Sequence, residues 1–116
     1  LKEPKDTNDL SQKIYSRAKK LLKGQGQKEI KLDSFAPTIR AEHHGNIEFR
    51  RLNNNKDLYA RRLTLREVGL IQTFPPNFIL TKKPTQVSYK YIGNAVPPLL
   101  SYLIADKVSD LIEKYF

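Results

Sequence analysis

The sequence predicts an α+β chain in which a short irregular β region is followed by a short helix and a long C-terminal helix. Three observations carry that reading. The hydrophobic period changes after residue 29, Thr64 and Glu67 stand at the spacing of a capping box, and prolines at 97 and 98 lead into apolar residues at helical spacing.

The elements follow in order. Residues 1–8 are polar, contain Pro4 and read as a loose lead-in. Asn8 or Asp9 is a suitable N-cap, after which Leu10, Ile14, Ala18, Leu21 and Leu22 recur with helical period. Lys13, Arg17, Lys19, Lys20 and Lys23 crowd the other faces, and GQGQ at 24–27 stops the helix and forms a joint. Residues 30–52 carry short β-friendly runs around Pro37 and Gly45, which predict two or three short strands joined by turns. Asn53, Asn54 and Asn55, with Lys56 and Asp57, make a polar loop.

At Thr64 a hydroxyl can take one orphan amide of a helix while the Glu67 carboxylate takes another, so a helix starts there. Leu65, Val68, Leu70 and Ile71 give it an apolar side, and Pro75 and Pro76 are expected to end it. Residues 79–92 read as extended or irregular. In YIGNAVPP, Gly93 and Asn94 suit a tight turn, while Pro97 and Pro98 suit the first turn of a helix, where a missing N–H costs nothing. Leu99, Leu100, Leu103, Ile104, Val108, Leu111 and Ile112 form the stripe of that final helix. Taken alone, the Gly-Asn turn either reverses the chain or brings bare backbone and an amide up to a ligand.

The formal charge is +9, from 21 Lys and Arg against 12 Asp and Glu in 116 residues. Such a chain is expected to meet a polyanion, nucleic acid first among them. Arg40, His43, His44, Asn46, Arg50 and Arg51, then Arg61, Arg62 and Arg66, mix cations with hydrogen-bonding groups in the irregular β region. Guanidinium forks there suit phosphates and base edges, whereas the plainer reading is a solvated basic face; the overall charge favours DNA or RNA contact.

Cysteine is absent, which leaves no disulfide framework, no thiolate nucleophile and no Cys-based metal site. His43 and His44 are adjacent and on a strand point to opposite faces, so no metal is expected. No apolar stretch approaches the roughly 18 residues of a membrane span, and the first residues are not a signal peptide. A soluble intracellular chain is expected, with no membrane partner. Methionine is also absent, even at residue 1, and the chain is expected to begin inside a longer product or after processing. Neither a Ser-His-Asp constellation nor a carboxylate pair in an apolar setting is present, and GQGQ lacks the strand and lysine of a phosphate-cradling loop. The residues carry no complete catalytic apparatus.

Two stretches resemble a known family. RLTLREVGLIQTFP at 62–75 is similar to the ninth conserved motif of the cytosine-C5 DNA methyltransferases, which runs Arg-x-Leu-Thr-x-Arg-Glu, a spacer, then Gln-x-Phe-Pro. GNAVPP at 93–98 looks like the tenth, Gly-Asn-x-Val-Pro-Pro, in the same order and at a suitable distance. Pro37, Thr38 and Ile39, followed by HHGN, resemble the end of the family's target-recognition region. The resemblance spans residues 30–116, and the 1–29 segment, basic and predicted helical, fits a recognition region that varies with the DNA read.

The resemblance implies a partial domain of a Rossmann-like methyltransferase in three parts. Residues 1–29 are the variable helical segment of the recognition region. Residues 30–92 are the C-terminal part of the small recognition domain, and residues 93–116 are the turn and helix that return to the catalytic domain. It implies that Gly93, Asn94, Ala95 and Val96 line part of an S-adenosylmethionine pocket. It also implies that Thr38, Ile39, Arg40, His44, Asn46 and Arg62 face double-stranded DNA, and that Thr64, Arg66, Glu67, Gln72 and Pro75 organise the recognition domain.

Family chemistry uses a cysteine thiolate on C6 of an extruded cytosine, a glutamate at N3 and a glycine-rich cofactor motif. The Pro-Cys, Glu-Asn-Val and glycine-rich first motifs that supply them in the family are absent from the sequence. The implied chain is therefore inactive alone, as a fragment or as the small subunit of a split enzyme, with the N-terminal catalytic portion or large subunit as its partner. It would work in the cytoplasm of a bacterium, held at the nucleoid through DNA, within a restriction-modification system. The other reading is a free-standing, non-catalytic DNA-binding module derived from such an enzyme.

Overall fold

The computed structural model describes residues 4–13, 33–36, 38–39, 41, 49–50, 61–81 and 83–116. The expected helix beyond residue 13, the joint at 24–27 and the polar loop at 53–57 lie outside them, as do Arg40, His43, His44, Asn46 and Arg51.

A 3-10 turn at Pro4–Asp6 leads to α1, Leu10–Lys13. Asp9 starts α1 as an N-cap residue should: its Oδ1 accepts from the Ser11 amide at 2.9 Å and the Ser11 hydroxyl at 2.6 Å. Strands β1, Phe49–Arg50, and β2, Arg61–Arg62, pair antiparallel with Phe49 opposite Arg62 and Arg50 opposite Arg61. Three helices follow: α2 at Leu65–Ile71, α3 at Thr85–Asn94 and α4 at Pro98–Tyr115. The described part is thus mostly helical with little strand, and most of the residues expected to form short strands, 30–52, lie outside it.

The core is small and lies where α2 crosses α3. Leu65 and Val68 of α2, one turn apart, meet Tyr89 and Ile92 of α3, also one turn apart, with Leu63, Leu80 and Ile39 closing the cluster. Leu65 and Val68 are fully buried. Burying an aliphatic side chain of that size contributes about 1.5–3 kcal/mol, which is what holds a seven-residue helix too short to persist by propensity.

Two expectations are corrected here. Residues 79–92 are not wholly extended, because α3 occupies Thr85–Asn94. Its β-branched and aromatic residues favour a strand locally, but Ser88, Tyr89 and Ile92 share one face that packs on α2, and tertiary burial wins. Gly93 and Asn94 are accordingly the last residues of α3 rather than a turn; the connection to α4 is Ala95–Pro97.

Nor do Pro75 and Pro76 end α2. It ends at Ile71 in a Schellman arrangement: the Thr73 amide donates to the Leu70 carbonyl and the Phe74 amide to the Gly69 carbonyl, both at 2.9 Å. The residue in the left-handed position is Thr73, with φ 65°. Glycine is usual there, and a β-branched residue in that conformation is strained by roughly 1–3 kcal/mol. The prolines come afterwards, in the turn that sets Phe74 edge-on to Phe78 at 5.0 Å.

α4 begins where Pro98 is expected to open it. At 18 residues it is about 27 Å long. Every one of its residues after Pro98 is exposed, and it packs against no other described element. None of the described helices is long and apolar enough to cross a membrane.

Candidate functional site

The segment around α2 is held from both sides. The Thr64 amide donates to Glu67 Oε2 at 2.8 Å and the Glu67 amide returns a bond to Thr64 Oγ1 at 3.2 Å, so the capping box forms as expected. Arg66, buried beside it, donates from Nε to the Ser11 hydroxyl at 2.9 Å and lies 3.8 Å from Asp9 Oδ2. The N-terminal segment is thereby fastened to α2 across 55 residues of sequence. Ser11 is completely buried. Its hydroxyl, assisted by Gln12, the Ser11 amide and Arg66, keeps the Asp9 carboxyl below its ordinary pKa against a partial desolvation that acts the other way. Thr64, Arg66 and Glu67 are all buried, so their side chains serve this framework.

Of the expected DNA-facing residues, Thr38 is exposed and Arg62 half-buried at the end of β2. Ile39 gives its side chain to the core. Arg40, His44 and Asn46 fall outside the described residues. Among the described residues no group of three or more His, Cys, Asp or Glu could hold a metal ion.

The Gly93–Pro98 segment lies on the surface between two helices. The Ala95 amide closes α3 on the Ile92 carbonyl at 3.2 Å, and Ala95 and Pro97 are extended, with ψ 143° and 125°. Asn94 and Val96 are exposed, Val96 by 61%, while Gly93 and Ala95 are half-buried. Beside Ile92 a largely apolar hollow of about 220 Å³ is lined by Phe74, Phe78, Leu80, Tyr91 and Lys83. Residues 93–96 thus present the Asn94 amide, the exposed Val96 isopropyl group and the extended backbone of Ala95. A donor, an acceptor and an apolar contact lie along this exposed strip, which does not enclose a ligand by itself.

Two residues bind this segment to the end of α2. Gln72 donates from Nε2 to the Ile92 carbonyl at 3.1 Å, and the Leu99 amide donates to Thr73 Oγ1 at 3.1 Å. The sequence marks Gln72 as part of a motif but gives no role to Thr73, since nothing local announces a left-handed threonine. Pro75 is exposed; its carbonyl accepts the Phe78 amide at 3.0 Å.

Comparison with known proteins identifies the family. The chain belongs to the C-5 cytosine-specific DNA methylase family, which it matches over residues 2–110. The type II methyltransferase M.NgoPII of Neisseria gonorrhoeae is 39% identical over 87 residues, which are 75% of this chain and 25% of that protein. The type II methyltransferase M1.ScrFI of Lactococcus lactis subsp. cremoris is 33% identical over 110 residues, 91% of this chain and 27% of that protein. The type II methyltransferase M.AquIB of Picosynechococcus sp. is 38% identical over 60 residues, 43% of each. The chain therefore spans about a quarter of the first two relatives and 43% of the third. No solved structure matches.

Proposed function

We propose that this chain is the C-terminal portion of a DNA (cytosine-5-)-methyltransferase, supplying part of the target recognition and one wall of the S-adenosylmethionine pocket, and that it is not catalytic alone. The observation that carries the reading is α4. Its apolar and aromatic residues, from Leu99 to Phe116, are about half exposed or more, far beyond the scattered apolar exposure of an ordinary monomer surface. A helix so placed is one side of an interface, and the rest of the methyltransferase is what this family provides to cover it.

When bound, S-adenosylmethionine supplies the methyl group that is transferred. The part of this chain would be to hold it: Asn94 offers a donor and an acceptor, Val96 an apolar contact, and the Gly93 and Ala95 backbone a close approach. On the DNA side Thr38, the Ile39 backbone and Arg62 would lie along the duplex, joined by Arg40, His44 and Asn46, with the surplus of 21 basic over 12 acidic residues drawing in phosphate. Thr64, Arg66 and Glu67 would keep that surface in place without touching DNA. The absence of cysteine supports catalysis from elsewhere in the enzyme, on the same polypeptide or on a second one.

Methyl transfer from labelled S-adenosylmethionine to duplex DNA tests the proposal, with this chain alone and mixed with the catalytic portion of the same methyltransferase. Activity is expected only in the mixture. Silence in both, together with sequence-specific DNA binding by this chain alone, would favour a stand-alone binding module instead.

A further inference from the structure

Gln72 and Thr73 act on opposite ends of one connection. The Gln72 amide holds the Ile92 carbonyl, one residue before Gly93, and the Thr73 hydroxyl holds the Leu99 amide, one residue after Pro98. Between them lie the six residues of GNAVPP, so the chain enters and leaves that segment through side chains belonging to one dipeptide.

The accounting at the start of α4 shows why Thr73 matters. Pro97 and Pro98 have no N–H, which removes two of the orphan donors of a helix N-terminus. Pro97, in the capping position, has no side chain that can accept a bond. Leu99 is thus the first donor of α4, and its partner is a hydroxyl 26 residues back in sequence. Thr73 is an N-cap supplied from another element.

The backbone of Thr73 points the same way. Ending α2 needs only a residue comfortable at φ 65°, and glycine is the comfortable one. Threonine is strained there, but it carries the hydroxyl. Strain retained at a position where the strained residue makes a specific bond is a mark of use.

We propose that Gln72 and Thr73 are positioning residues that set the spacing and direction of the Gly93–Pro98 segment against the cofactor. This rests on the reading of Asn94 and Val96 as part of the S-adenosylmethionine pocket. The two side chains hold the strip at the residue before it and at the residue after it.

The test uses the complete methyltransferase carrying Thr73→Gly, Thr73→Ser, Gln72→Leu or Asn94→Ala. Cofactor affinity is read by calorimetry, KM separately for S-adenosylmethionine and DNA, and exchange of the Leu99 amide by NMR on this chain. Thr73→Gly and Gln72→Leu are each expected to raise Kd and KM for the cofactor about fivefold, the size of one lost capping bond. KM for DNA should stay near wild type in both, and so should the melting temperature of Thr73→Gly, because glycine relieves the strain as it removes the bond. Thr73→Ser keeps the hydroxyl and is expected to behave as wild type, with Leu99 exchange quickened only in Thr73→Gly.

If Asn94→Ala weakens cofactor binding while Thr73→Gly and Gln72→Leu do not, the positioning role is overturned and the pocket reading stands. If none of the three weakens it, both fall. If KM for DNA rises as much as KM for the cofactor, the two residues merely support the fold, and the proposal is overturned.

Discussion

The hydroxyl of Tyr89 donates to the backbone carbonyl of Leu63 at 2.7 Å, joining α3 to the residue between β2 and the α2 cap. Both residues are buried, Tyr89 at 7% and Leu63 at 2% exposure. A carbonyl just past the end of a two-residue strand has left the ladder, and this phenol supplies its donor. Tyr89→Phe fills the same space and leaves the acceptor dry. It is expected to lower stability by about 1–2 kcal/mol, read as a shifted urea midpoint with an unchanged slope. An unmoved midpoint would mean that Leu63 finds another donor.

The capping box predicts a second loss. Thr64→Ala removes the acceptor of the Glu67 amide and should destabilise the chain by about 1 kcal/mol, whereas Thr64→Ser keeps it. Because Thr64 and Glu67 are buried, added salt should not rescue the alanine variant. Thermal melting at low and high ionic strength separates this from a surface electrostatic effect.

Acid should loosen the N-terminal anchor first. The folded pKa of Asp9 lies below its ordinary 3.8, chiefly through the Ser11 hydroxyl. A group depressed on folding adds stability above its unfolded pKa and loses it as pH falls through the folded one. The hold of Asp9 on Ser11, and through it on Arg66, is therefore complete above about pH 4 and fades below. Asp9 is 40% exposed, so the effect is modest. Protection of the Ser11 amide, taken relative to its intrinsic exchange rate at each pH, should fall below about pH 4 in wild type. In Asp9→Asn the amide oxygen still caps but does not titrate, so protection should not change across that window, and a fall as large as in wild type would sink the assignment.

The free helix gives a contrast between two substitutions of large apolar residues. Leu65→Ala opens a cavity in the core and is expected to cost about 2–5 kcal/mol. Ile104→Asp, on a helix that touches no other described element, should change stability by less than about 0.5 kcal/mol. Its effect should appear elsewhere, as loss of self-association in sedimentation and loss of binding to the catalytic portion. A large drop in melting temperature for Ile104→Asp would show that α4 packs on its own chain.

What the sequence disclosed follows from how local each signal is. Thr64 and Glu67 are three residues apart, and α4 has its prolines and its stripe, so both could be read directly. So could Asp9 as a cap. By contrast, α3 was hidden because Val87, Tyr89, Tyr91 and Ile92 suit a strand equally well, and only the facing surface of α2 decides between them. The Arg66–Ser11 bond joins residues 55 apart, beyond any pattern of spacing. Within the candidate site, the motif pair at 62–75 and 93–98 was legible as a pattern. The bonds by which Gln72 and Thr73 join its halves were not, because threonine in a left-handed conformation contradicts the local preference that sequence reading depends on.

The isolation of α4 bears on how variants of this chain should be ranked. A library sorted by thermal resistance would discard Leu65→Ala at once and would keep both Ile104→Asp and Thr73→Gly as neutral. On the proposed reading the first survivor has lost its grip on the catalytic portion, and the second the alignment of its cofactor strip. Survival of heating and fitness for work are then separate properties, and a screen for the second must include that catalytic portion.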